Sequence, residues 1–141
     1  MNSIRERVLR EVLARLSAAV APATVLRMPT APVSREASPA LLLFVDGDSI
    51  TAHANQLVDR QLVIRIAVIA RGADAFDAAD RLLVAAHRAL LMDPNLDGLV
   101  LAVREVDCEW DVDDADFGAV ALPARYEIRY RTQALDLTQT G

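Results

Sequence analysis

The stretch QLVIRIAVIA, residues 61–70, permits few folds. Leu62, Ile64, Ile66 and Val68 share one face at a period of two, while Val63, Ala67 and Ile69 occupy the other. A strand that is apolar on both sides lies inside a sheet covered above and below, or under a partner subunit. The chain has the material for that cover. It has 141 residues, 53% of them hydrophobic and 25% charged, and a chain of this size buries about 68 to 70% of its unfolded surface.

The segments around this strand read as a single α+β domain, residues 1–141, with a mostly antiparallel sheet and two main helices on one face. Ile4, Val8, Leu9, Val12, Leu13 and Leu16 recur at helical spacing behind a Ser3–Glu6 capping box, which predicts a helix over 3–20, ended by Pro22. ATVLRM, 23–28, reads as a short strand. Residues 29–39 hold three of the six prolines and read as a flexible loop or arm. ALLLFV, 40–45, predicts a buried strand ending in a turn at DGDS, with SITAHA a further strand that turns at Asn55 to Asp59. Asp74 is placed to cap a second helix over 75–92, with Phe76, Ala79, Leu83, Ala86 and Leu90 on one face. From Leu99 to Val112 the alternation predicts a long strand, with Val100, Ala102, Val106, Cys108, Trp110 and Val112 opposite Glu105, Asp107, Glu109 and Asp111. DDADFG, 113–118, is a turn, and ARYEIRYRT, 124–132, is a strand with Tyr126, Ile128 and Tyr130 on one face. Residues 133–141 read as a loose tail.

Several chemistries are excluded. All fifteen basic residues are Arg, so neither a Schiff-base lysine nor a P-loop lysine exists. The formal charge of -5 argues against a general nucleic-acid binder. Cys108 is the only cysteine, which removes intrachain disulfides and Cys-rich zinc sites and fits a reduced place of synthesis. The start of the chain lacks an apolar signal-peptide core and no apolar run suffices to span a bilayer, so a soluble protein that is not exported is expected.

DPNLDG, 93–98, matches the front of an EF-hand loop through Asp93, Asn95, Asp97 and Gly98. The twelfth loop position, however, is Arg104 where a bidentate glutamate belongs, and a strand follows where a helix should. The segment is instead a helix-to-strand turn. His53 and His87 lie in different elements without zinc-ligand spacing, so His87 reads as a packing or interface histidine. No nucleophile elbow or glycine-rich phosphate loop is present. The acidic row Glu105, Asp107, Glu109 and Asp111 could suggest paired catalytic carboxylates or a magnesium site. Arg125, Arg129 and Arg131 recur at the same period on the next strand, and a cross-strand ion-pair ladder in a hairpin is the better reading.

The N-terminal amphipathic helix, PALLLF, QLVIRIAVIARGADAFDAADRLL, DPNLDGLVLAVRE and ALPARYEIRYRTQ, taken in that order from Arg5 to Leu137, resemble the tail terminator proteins of tailed bacteriophages, the group that includes minor tail protein U of lambda-like phages. The resemblance implies a small α+β structural protein without catalytic residues, metal or cofactor. It implies a homo-oligomeric, hexameric ring that caps the tail tube, ends its polymerisation and offers a head-joining surface. The partners implied are further copies of itself, the major tail tube protein and the head–tail connector protein. No membrane is involved, and DNA is only passing cargo. The location implied is the head-proximal end of the virion tail, after synthesis in the host bacterial cytoplasm. Candidate ring or tube contacts are the 29–39 arm, Asp93, Asn95 and Asp97, and the part of Arg125, Arg129 and Arg131 not used in the hairpin. A neck or head–tail completion protein, a terminator of a phage-derived contractile particle, and a small-molecule-binding or enzymatic α+β domain are the alternatives.

Overall fold

The computed structural model describes residues 1–28, 39–108 and 119–141. Its elements run α1 (Ile4–Val20), β1 (Thr24–Arg27), β2 (Ala40–Ala54), β3 (Leu57–Arg71), α2 (Ala75–Leu91), β4 (Ala102–Cys108) and β5 (Ala119–Gln133). They form a five-stranded sheet in the order β1-β2-β3-β5-β4. Only β1 and β2 are parallel; the other neighbours are antiparallel.

The doubly apolar stretch is the middle of β3, and its position in the sheet follows from its pattern. Leu62, Ile64, Ile66 and Val68 are wholly buried beneath the helices. Ala67 packs with Ala40 and Leu42 on the other face, beside Leu26, Phe44 and Ile69. β5 pairs with β3 without interruption from Leu57↔Gln133 to Arg71↔Ala119. It thereby lines up Leu122, Ala124, Tyr126, Ile128 and Tyr130 with the helix-facing residues of β3.

α1 forms as its pattern requires. The Ser3 hydroxyl accepts the Glu6 amide at 3.1 Å, and Ile4, Val8, Leu9, Val12 and Leu16 make the buried stripe. α2 differs in detail from its expected form. The Asp74 side chain makes no capping bond, and the helix meets the sheet through Ala75, Ala79, Ala86 and Leu90. Small residues at these contacts let the helix lie close, so the bulky Phe76 is turned to the rim, where it is 51% exposed.

Three boundaries depart from expectation. DGDS does not end β2; the strand continues to Ala54, absorbing Gly47 at a register shift between Val45 and Gly47. The turn lies wholly in Asn55 and Gln56, both at positive φ, as a two-residue hairpin loop needs. β4 starts at Ala102, not Leu99, and its two-residue alternation breaks at a bulge between Glu105 and Asp107. Consequently Val103, and not Val106, faces the core, while Val106 is exposed. The segment 133–141 is tied down: the Leu137 carbonyl accepts the Ile4 amide at 2.8 Å, and the Gln56 carbonyl accepts the Ala134 amide at 2.7 Å. Residues 29–38, Glu109, Trp110, Asp111 and the 113–118 turn lie outside the described residues.

The turn Asp93–Gly98 anchors the join between α2 and β4. Asp93 accepts the Asp97 amide at 2.9 Å and Arg15 of α1 at 3.0 Å through one carboxylate oxygen, Oδ2. Leu96, Asp97 and Gly98 all take positive φ, a geometry that drives Leu96 into the core at 1% exposure. Leu96→Ala is therefore expected to destabilise the fold by about 2 to 5 kcal/mol in denaturant unfolding. Leu135→Ala, at a side chain 99% exposed, should stay within about 0.5 kcal/mol of the parent.

Candidate functional site

Two surfaces concentrate the polar side chains. The first is the sheet face turned away from the helices. Arg125 of β5 forms a two-pronged pair with Asp107, its Nε 2.8 Å from Oδ1 and its second nitrogen on Oδ2. Arg104 reaches Glu127 at 3.0 Å, Arg131 reaches Asp59 at 2.6 Å, and Arg65 reaches Asp46 at 3.3 Å while stacking 4.3 Å over the Phe44 ring.

This is an ion-pair lattice across four strands and not the two-strand ladder that the alternation suggests. The β4 register places Glu105 opposite Tyr126 on the helix face, where among the described residues it meets His87 and no arginine, and the bulge after it turns Asp107 to the other face. Arg129 is exposed opposite Ala102 and Gln61. Arg131 lies beyond the end of β4 and is held by Asp59 of β3. Asp59 shares the alternation of Gln61 and Val63, so the period of two together with the β3–β5 register was the signal for it. Arginine lowers the carboxyl pKa of Asp107 and of Asp59 from the ordinary 3.8, by hydrogen bonding first and charge second. Arg27 likewise lowers Glu6 from 4.5.

The second surface is a cleft of about 240 Å³ between α2 and the β4–β5 edge. Leu83, Val84 and Ala124 form its apolar walls, Asp80 and Cys108 stand at its border, and Tyr126 closes its base. His87 Nδ1 is 2.8 Å from the Tyr126 hydroxyl and 3.1 Å from Glu105 Oε2. A proton on Nδ1 is the arrangement that the carboxylate favours. Burial, and then the negative charge of Glu105, raise the Tyr126 phenol well above its ordinary 10.0. Tyr130, under the start of α1, donates to Asp48 at 2.6 Å and is raised for the same leading reason, burial.

No set of three or more metal-ligating side chains converges among the described residues. A histidine held by a tyrosine and a carboxylate can position a proton, and Cys108 borders the same cleft. Burial and then the charges of Glu105 and Asp107, however, raise its thiol above the ordinary 9.0, against the thiolate that nucleophilic attack needs. Asp93 and Asn95 are engaged in their own turn, Asn95 accepting the Gly98 amide at 3.4 Å, whereas the Asp97 side chain is exposed. Asp97 borders a shallow groove with Arg7 and Glu11 of α1.

Both surfaces sit on a fold known from a virus-like particle. A chain titled as belonging to the virion of a native gene transfer agent particle matches with a TM-score of 0.54 and 15% identity, over 90% of each chain. The two chains share a fold. A second solved chain, whose name carries no function, matches with a TM-score of 0.53 and 21% identity, over 89% of this chain and 92% of that one. No family model matches the sequence, and no curated protein does. No helix among the described residues is long and apolar enough to cross a membrane.

Two pH responses follow. The lowered carboxyls favour the folded state above their ordinary values, and this contribution is lost as pH falls through the lower folded values. Thermal stability should therefore drop as pH passes below about 4. A variant carrying Asp59→Asn and Asp107→Asn should be less stable at neutral pH and lose less on acidification. At the alkaline end the sequence has two tyrosines, Tyr126 and Tyr130. Their raised folded values stabilise the fold below pH 10.0 in a way that fades as pH climbs above it. Ultraviolet titration should show no phenolate at pH 10.0 in the native protein, and ionisation only with alkaline unfolding.

Proposed function

We propose that this chain is a non-enzymatic structural protein of a phage-type particle and, within that class, a tail terminator. It assembles as a hexameric ring on the tail tube, stops addition of tube subunits and presents a surface to the head connector. The observation that carries this reading is the likeness to the gene transfer agent chain across nine-tenths of both molecules. The arrangement of polar groups supports it. Four carboxylate–arginine pairs stiffen one sheet face, and none of them converges on a reaction centre.

Disrupting the gene in its particle-producing host is the direct test. Electron microscopy should then show tails of uncontrolled, excessive length, restored to uniform length by the intact gene in trans. Tails of normal length that fail to join heads would instead assign a neck completion role. Arg129 offers a finer test. It is exposed, sits opposite uncharged Gln61 and Ala102 and adds only a minor charge attraction to Asp59, so Arg129→Gln should leave unfolding within about 0.5 kcal/mol of the parent. As a contact to ring neighbour or tube, the same change should reduce capping of purified tubes.

A further inference from the structure

The two lateral edges of the molecule differ in charge and shape. Strand order puts β1 and β4 on opposite sides of the sheet. α1 packs beside β1, and α2 lies over β3 and β5 and reaches β4. On the α2–β4 edge, Asp80 is an exposed carboxylate with no side-chain partner among the described residues, and Glu105, on the other side of the cleft, has only His87. Along α2 Asp77 and Asp80 are balanced by Arg81 and Arg88, so the negative character belongs to the cleft itself, whose lining holds Asp80 and Glu105 and no arginine. Among the described residues of the walls, Val84 is 61% exposed.

The α1–β1 edge is basic. α1 carries Arg5, Arg7, Arg10 and Arg15 against Glu6 and Glu11. Glu6, one turn before Arg10, is already held through both oxygens by Arg27, at 2.7 and 2.8 Å. Arg10 is thus left exposed with no side-chain ion pair among the described residues.

We propose that the cleft between α2 and β4 receives Arg10 of a second copy of this chain, joining the α1 edge of one subunit to the α2–β4 edge of the next. The aliphatic stem lies along Leu83, Val84 and Ala124, and the guanidinium meets Asp80 and Glu105. An apolar trough with carboxylates at its border matches a side chain that is apolar along its stem and cationic at its planar tip. Joining two different edges on opposite sides of the sheet is a heterologous contact, which closes into a ring when the rotation per subunit divides a full turn. The inference rests on the ring reading above and names the contact that builds it.

Charge exchange tests it. Asp80→Arg and Arg10→Asp both fall on exposed positions, so circular dichroism should be unchanged. Each alone should raise the dissociation constant of the oligomer at least about tenfold, in light scattering or sedimentation, and the double variant should recover most of the loss. Cys108 provides a second readout because it borders the cleft and is the only cysteine. With a short bis-maleimide, wild type should give no cross-link, because Cys108 of one subunit faces α1 of the next, which carries no cysteine. Ala14→Cys, one turn from Arg10, should give a ladder of copies up to the full ring. A wild-type ring with single variants that dissociate no more readily, a cross-linking pattern confined to pairs, or cross-links from Cys108 to the tube protein would overturn this contact and leave the ring reading standing. A wild-type chain that stays monomeric both free and on tail tubes would overturn both.

Discussion

The uninterrupted pairing of β3 with β5 is the constraint on which the rest of the molecule depends. Fifteen residues of each strand stay in register, and a slip of one would exchange the buried and open faces. Leu62, Ile64, Ile66 and Val68 would then leave the helices, and Tyr126, Ile128 and Tyr130 would go with them. Because this register holds, the helix side of the sheet is a single apolar surface for α1 and α2. The opposite side becomes a grid on which Asp59, Arg125, Glu127 and Arg131 find partners in a neighbouring strand.

β2 and β4 flank that core with different tolerances. β2 contains two register shifts, Val45/Gly47 and Ile50/Ala52, and β4 one, at Glu105–Asp107; the first and the last of these matter here. A bulge re-aims the side chains beside it, and here both have consequences beyond the sheet. The shift in β2 precedes Asp48, which is placed under the start of α1 to bind Tyr130 and Arg5. The shift in β4 follows Glu105, which meets His87, and leaves Asp107 to Arg125. Regular pairing at the centre fixes the fold, while irregular pairing at the flanks shapes the surfaces.

The same distinction explains what the sequence revealed. Period-two and helical patterns registered β3, β5, α1 and most of α2, because those elements follow their repeat without interruption. The α+β class, the mostly antiparallel sheet and the two helices on one face followed from them. The cleft was not legible, because it depends on the bulge that parts Glu105 from Asp107 and on a helix lying close enough for His87 to reach Tyr126. Neither the bulge nor the approach of α2 leaves a local mark. Arg129 was read as a ladder member since its period matched, yet β4 presents Ala102 opposite it. The hairpin turn expected at Asn55 to Asp59 is there but confined to Asn55 and Gln56, and its exact extent was not legible because neither residue is the glycine that normally signals two positive φ values.

Arginine without lysine gives these surfaces a common physical character. A guanidinium can hold a carboxylate through two parallel hydrogen bonds, as Arg125 does with Asp107. Exposed pairs of this kind add little stability singly, about 0 to 1 kcal/mol each. Their effect is geometric: they hold side chains in fixed orientations across neighbouring strands. A protein that works by presenting rigid faces to repeated copies gains more from fixed orientation than from added stability, since an error in angle at one subunit contact accumulates around a ring. Under the proposed ring contact the paired arginines set the shape of the subunit, and Arg10, which has no ion pair among the described residues, is available to a second copy.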